Sequence, residues 1–252
     1  MYFVNELKRR NPVLFWYGSI NIFAAVICLL LSQTTTTWVN GVNAFIKPLK
    51  FYVSIGICVW TLGWIMYYLE MPTRVKVFNL MSIVLLSFES FVITWQAANG
   101  RLSHFNVSSA SYGFLFSLMG IAIVIFTLWT GFICYLFFKK KQWSIPMSYV
   151  WGIRLGLLFF VIFALEGGAM AAMLKHTVGG NDSSRGIALL NWSRGHGDLR
   201  IAHSLGMHAL QLFPLFGYYI AKNSMATKAF ASLYVITVVA VLVEALMGLP
   251  LI

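Results

Sequence analysis

"VLFWYGSINIFAAVICLLL", residues 13–31, runs for nineteen positions without a charge. Its few polar members, Ser19 and Asn21 among them, follow no alternation of the kind a barrel strand shows. As a helix, such a stretch covers a hydrocarbon core roughly 30 Å thick. Similar runs recur along the chain, which is 60% apolar and only 10% charged, with a mean hydropathy of +0.79. A water-soluble fold of 252 residues needs a polar surface that this composition does not supply. The expectation is an all-α, polytopic membrane protein forming one domain over 1–252.

Seven spans are expected, at about 13–31, 50–70, 75–98, 112–138, 148–174, 200–221 and 228–249. Basic residues before the first run give it the look of a signal peptide. It ends in "SQTTTTW" without a small-x-small cleavage site, however, and reads as a retained span. Lys8, Arg9 and Arg10, then Arg74 and Lys76, the lysines at 139–141, and Lys222 and Lys228 all fall on one side. Lys47, Lys50, Arg101, Lys175, Arg185, Arg194 and Arg200 fall on the other. The positive-inside rule then gives a cytoplasmic N-terminus and an extracytoplasmic C-terminus in a plasma (inner) membrane.

The formal charge of +11 does not indicate nucleic acid, because the basic residues lie in short loops beside apolar runs. Cys28, Cys58 and Cys134 lie within expected spans without CxxC spacing and read as small apolar side chains. Three N-x-S/T triplets, at Asn106, Asn181 and Asn191, fall in the expected outer loops. They are compatible with the topology and say nothing more.

Charges that persist inside a bilayer usually face a cavity or a partner. Glu89, Glu166 and Glu244 lie five to nine residues before the outer ends of their spans, very roughly 8–14 Å deep. His203 and His208 lie at a similar depth on the sixth span, which runs the other way. Ser82, Glu89 and Gln96 recur every seven residues and share one stripe. On the sixth span Arg200, His203, Ser204, His208 and Gln211 fit an arc of about 140°. The expected site therefore gathers Glu89, Glu166, His203, His208, Glu244, Gln96, Gln211 and Arg200. Its rim comprises His104, Asn106, Lys50, Arg101, His196 and Asp198, and Asp198 is also the natural N-cap of the sixth span.

Mixed carboxylate and imidazole donors suit a metal ion. That makes Glu89, Glu166, His203 and His208 a candidate metal set, and the leading expectation is a site that binds a metal or haem for redox or hydrolytic chemistry. His203 and His208 are five apart, so they do not chelate as an i, i+4 pair would, and nothing resembles HExxH. Other readings fit the same residues. One is a proton-coupled transporter or small-ligand channel, since intramembrane Glu and His form proton relays. Another is a lipid hydrolase, although the paired histidines of seven-helix membrane hydrolases are four apart. The plainest is a set of buried ion pairs that hold helices together. Besides the lipid bilayer, the expected partner is a small molecule, ion or lipid entering from the outer face.

Overall fold

The computed structural model describes residues 2–182 and 186–251, so Arg185, counted above with the outer-loop basic residues, lies outside the described residues. The helices are α1 (Tyr2–Arg10), α2 (Pro12–Thr34), α3 (Ile46–Met66), α4 (Pro72–Ala98), α5 (Ala110–Lys139), α6 (Met147–Met173), α7 (Leu199–Tyr219) and α8 (Ser224–Leu246). Six of them are long and apolar enough to cross a membrane: α2, α3 with the 3-10 turn that follows it, α4, α5, α6 and α8. The protein is thus a multi-pass helical membrane protein. Large apolar side chains such as Phe23, Phe91, Leu128, Ile162 and Leu233 are exposed on these helices, as a lipid solvent permits. α7 falls outside the six. It has 21 residues but carries Arg200, His203, His208 and Gln211 along its length.

The chain forms two compact units, Met1–Phe126 and Thr127–Ile252, with the division inside α5. In the first unit α2 packs on α3 and α3 on α4. Small residues allow the first contact. A Cβ at Gly18 would lie 2.3 Å from the Trp60 indole, whose N–H donates to the Phe15 carbonyl at 3.0 Å. α2 starts at an N-cap that the sequence makes plain. Asn11 accepts from Leu14 N–H, Pro12 occupies the first helical position, and the Asn11 carboxamide also exchanges two hydrogen bonds with that of Asn79 on α4.

α1 was not expected. It is nine residues long and tied down by Arg10, whose guanidinium carbon lies 4.0 Å from the Trp64 ring centre, 4.8 Å from Tyr68 and 5.0 Å from Tyr67. Hydrogen bonds from Arg9 and Arg10 push the Glu6 carboxyl down to about 2. The connection after α2 also holds a small hairpin, Trp38–Val39 against Val42–Asn43, turning at Asn40-Gly41 with both φ angles positive. "VNGV" is the sequence signal for that turn.

In the second unit α6, α7 and α8 pack mutually. A Cβ at Gly152 would lie 2.4 Å from the Phe213 carbonyl oxygen, one at Gly156 2.8 Å from that of Ala209, and one at Gly217 2.5 Å from that of Ser148. α6 and α7 therefore meet backbone to backbone, with Pro214 of α7 inside the contact. Arg154 on α6 donates to the carbonyls of Phe137 and Lys140 at the end of α5. Gly152→Ala is expected to cost about 1–3 kcal/mol by overpacking and to lower the Tm of the detergent-solubilised protein by several degrees. Gly120→Ala, where a Cβ meets nothing within 4 Å, should leave Tm unchanged or slightly raised. Equal Tm values for the two variants would contradict the close contact.

Candidate functional site

Glu89 occupies the buried face of α4 and is 1% exposed. Its partner comes from the loop after the helix, which turns back along α4 and places His104 Nε2 3.5 Å from Glu89 Oε1. Ser103 Oγ lies 3.1 Å from the other ring nitrogen, Nδ1, and the rings of Phe51, Phe105 and Phe116 lie 5.4–6.2 Å from the imidazole. Phe105 is held at φ 61, a left-handed backbone that a bulky residue adopts at a cost of about 1–3 kcal/mol. It packs edge-on against Phe116 at 5.6 Å. Lys47, near the start of α3, is close enough to act electrostatically on Glu89. His104 thus belongs with Glu89 and not to a distant rim. Its side chain remains 22% exposed, so the imidazole joins a buried carboxylate to the surface.

The second pair lies in the other unit. Glu166 Oε2 on α6 is 3.2 Å from His203 Nδ1 on α7. The neighbouring glycine makes this approach feasible, because a Cβ at Gly167 would lie 2.8 Å from the His203 ring. Gly206 likewise accommodates Phe163, whose ring would meet a Cβ there at 2.0 Å. In both pairs one carboxylate oxygen faces the imidazole. The other, Glu89 Oε2 or Glu166 Oε1, is buried and has no hydrogen-bond partner among the described residues.

The remaining expected site residues are placed as follows. His208 is exposed, with Nδ1 3.3 Å from Gln211 Oε1, and does not join His203. Glu244 is exposed near the end of α8. Gln96 is buried on the Glu89 face, and its Oε1 has no partner. Asp198 is the N-cap of α7. It accepts from the backbone N–H of Arg200 and Ser193, and from two nitrogens of the Arg200 guanidinium at 2.9 and 2.6 Å. Arg200 is therefore committed to the cap. His196 is partly buried, its ring filling the space where a Gly180 side chain would stand. Asn106 is buried in its own turn, donating to the Leu102 carbonyl and accepting from Ser108. Arg101 lies over Tyr112, and Lys50 is half-buried near the start of α3. Among the described residues no three His, Cys, Asp or Glu side chains come together as a metal site requires.

Two features escaped the sequence reading. One is a groove of about 420 Å³ in the first unit, where Tyr17 OH accepts from Ser87 and Thr94 Oγ1 lies 3.0 Å from Tyr52 OH. Scattered hydroxyls on three apolar helices carry no periodic signal. The other is a knot in the loop before α7. Burial raises the Asp182 carboxyl, but hydrogen bonds from His176 and Thr177 outweigh it and hold the group well below the usual carboxylate range. Thr177–Val178 then pairs with Gly197–Asp198. The chain matches no known family model, no curated protein and no solved structure.

The depressed Asp182 pKa means that its contribution is complete above the ordinary carboxylate value of about 4 and is lost in stronger acid. Asp182→Asn should raise amide exchange at 176–178 and 197–198 about tenfold or more at neutral pH and abolish the acid-dependent step. Unchanged protection would show that the carboxylate does not hold the loop.

Proposed function

We propose that this protein is a proton-coupled membrane transporter, in which Glu89–His104 and Glu166–His203 bind and release the coupling protons. The observation that carries the reading is the shared arrangement of the two pairs. Each carboxylate meets one imidazole and keeps its second oxygen buried and, among the described residues, unpartnered. A carboxylate and an imidazole 3.2–3.5 Å apart share one proton in two forms, as an ion pair or as neutral acid and base. Glu and His chains of this kind serve as proton relays within membranes. His104, whose side chain keeps a partial exposure, joins Glu89 to the surface.

The reading includes seven spans, a cytoplasmic N-terminus and a plasma-membrane location. α7 is the seventh span, and its close contact with α6 through Gly152, Gly156 and Gly217 supports this. The distribution of Lys and Arg supports the orientation. For a metal ion or haem, the leading expectation from the sequence, the described residues offer two-donor pairs and no larger cluster.

Infrared difference spectroscopy on the purified full chain, stepped across the pH range over which it stays folded, should show two carboxyl groups changing protonation as the pairs load and release protons. Glu89→Gln should remove one and Glu166→Gln the other. In liposomes containing trapped pyranine and polarised with valinomycin, the unaltered chain should pass protons, and each variant should cut the flux about tenfold or more. Carboxyl bands that stay fixed across this range, or a flux equal to that of protein-free liposomes, would overturn the reading.

A further inference from the structure

The two pairs leave part of α4 unexplained. Ser82, Glu89 and Gln96 are each 1% exposed, and each keeps a buried side-chain oxygen that has no partner among the described residues: Ser82 Oγ, Glu89 Oε2 and Gln96 Oε1. Seven-residue spacing puts them on one line, with steps of about 10.5 Å. Leu86 and Ile93, also buried, alternate with them. One turn before Ser82 the line meets Asn79, whose amide is closed on Asn11 through two hydrogen bonds. The polar line is thus unpartnered from Gln96, two residues from the helix end, down to Ser82, and is sealed at the Asn11–Asn79 pair.

Buried polar atoms in proteins are almost always hydrogen-bonded, and an unpartnered one costs about 1–3 kcal/mol. Three on one line within a single apolar helix imply a shared partner. That partner must donate hydrogen bonds to a carboxylate, an amide carbonyl and a hydroxyl alike, and must be small enough for a buried seam. Water has these properties. The charged and titratable groups that face Glu89 are His104 from the loop and Lys47 from α3.

We infer that the Ser82–Glu89–Gln96 stripe of α4 binds a file of water molecules, entered from the C-terminal end of the helix and closed at the Asn11–Asn79 pair, that serves Glu89 as a proton well. This rests on the proposed proton chemistry of Glu89. A proton on water at Gln96 passes to Glu89 Oε2 along hydrogen bonds, and the carboxyl releases one in exchange to His104. No bond other than O–H and N–H is made or broken.

Hydroxyl-radical footprinting of the unmodified full chain tests the file directly. Met119 and Met66 are both buried, but only Met119 packs with Val92 and Ile93 on the seam. Bound water should let Met119 be oxidised about tenfold faster than Met66. In a background with Cys28, Cys58 and Cys134 replaced by alanine, Ser82→Cys and Gln96→Cys should react with a water-soluble methanethiosulfonate. The equally buried Val59→Cys and Leu62→Cys on α3 should react about tenfold more slowly, since the reagent needs a hydrated thiolate. Met119 oxidised no faster than Met66, or cysteines at 82 and 96 as inert as those at 59 and 62, overturns the file. The infrared titration separates the two ideas. Fixed carboxyl bands with a hydrated stripe remove the proton role, whereas a titrating Glu89 beside a dry stripe removes only the file.

Discussion

Inside a bilayer a polar side chain has no water to fall back on, and this constraint orders the interior of the protein. Asn11 meets Asn79, Tyr234 reaches the Leu205 carbonyl, and Arg154 caps the end of α5. Each is a solution to the cost of a polar group in hydrocarbon. Glycine has a complementary part. By removing side chains from α6, α7, α2 and α3 at the contact points, it lets backbones approach and brings groups such as Glu166 and His203 within reach. Among the described residues the constraint is met only in part at Glu89, Glu166, Gln96 and Ser82, as it is at Arg10 and Trp129, and the first four call for a functional account.

Much of the fold was legible because apolar length is a strong signal. The helices lie within a few residues of the expected segments, and Asp198 caps α7 as its position before an apolar run indicates. The stripe Ser82–Glu89–Gln96 was also readable, since seven-residue spacing on a long helix fixes a face. What failed to show was everything that depends on a loop doubling back. His104 gives no sequence sign that it returns nine residues along α4, because the loop's path is set by its own turns, the left-handed Phe105 included. α1 was missed because a nine-residue segment with three basic residues at its end reads as a charged leader. The contact that holds it, Arg10 among Trp64, Tyr67 and Tyr68, joins positions more than fifty residues apart.

The histidine-rich stretch at 191–211 illustrates how grouping along a sequence differs from grouping in space. Its residues disperse to separate tasks. Asp198 and Arg200 close the cap, His196 packs the loop, His203 meets Glu166 and His208 turns outward to Gln211. Helical geometry explains the last division, since positions five apart stand about 140° from each other.

The two carboxylate–imidazole pairs differ in what carries the imidazole. His203 is rooted in a helix pressed against its neighbour by glycine contacts, so separating it from Glu166 means prising two rods apart. His104 hangs on a short connection whose backbone is held in a costly conformation at Phe105, so a small rotation there would swing the ring away while every rod stays in place. One pair is a bolt and the other a latch, and whatever grips the connection after α4 takes hold of the latch.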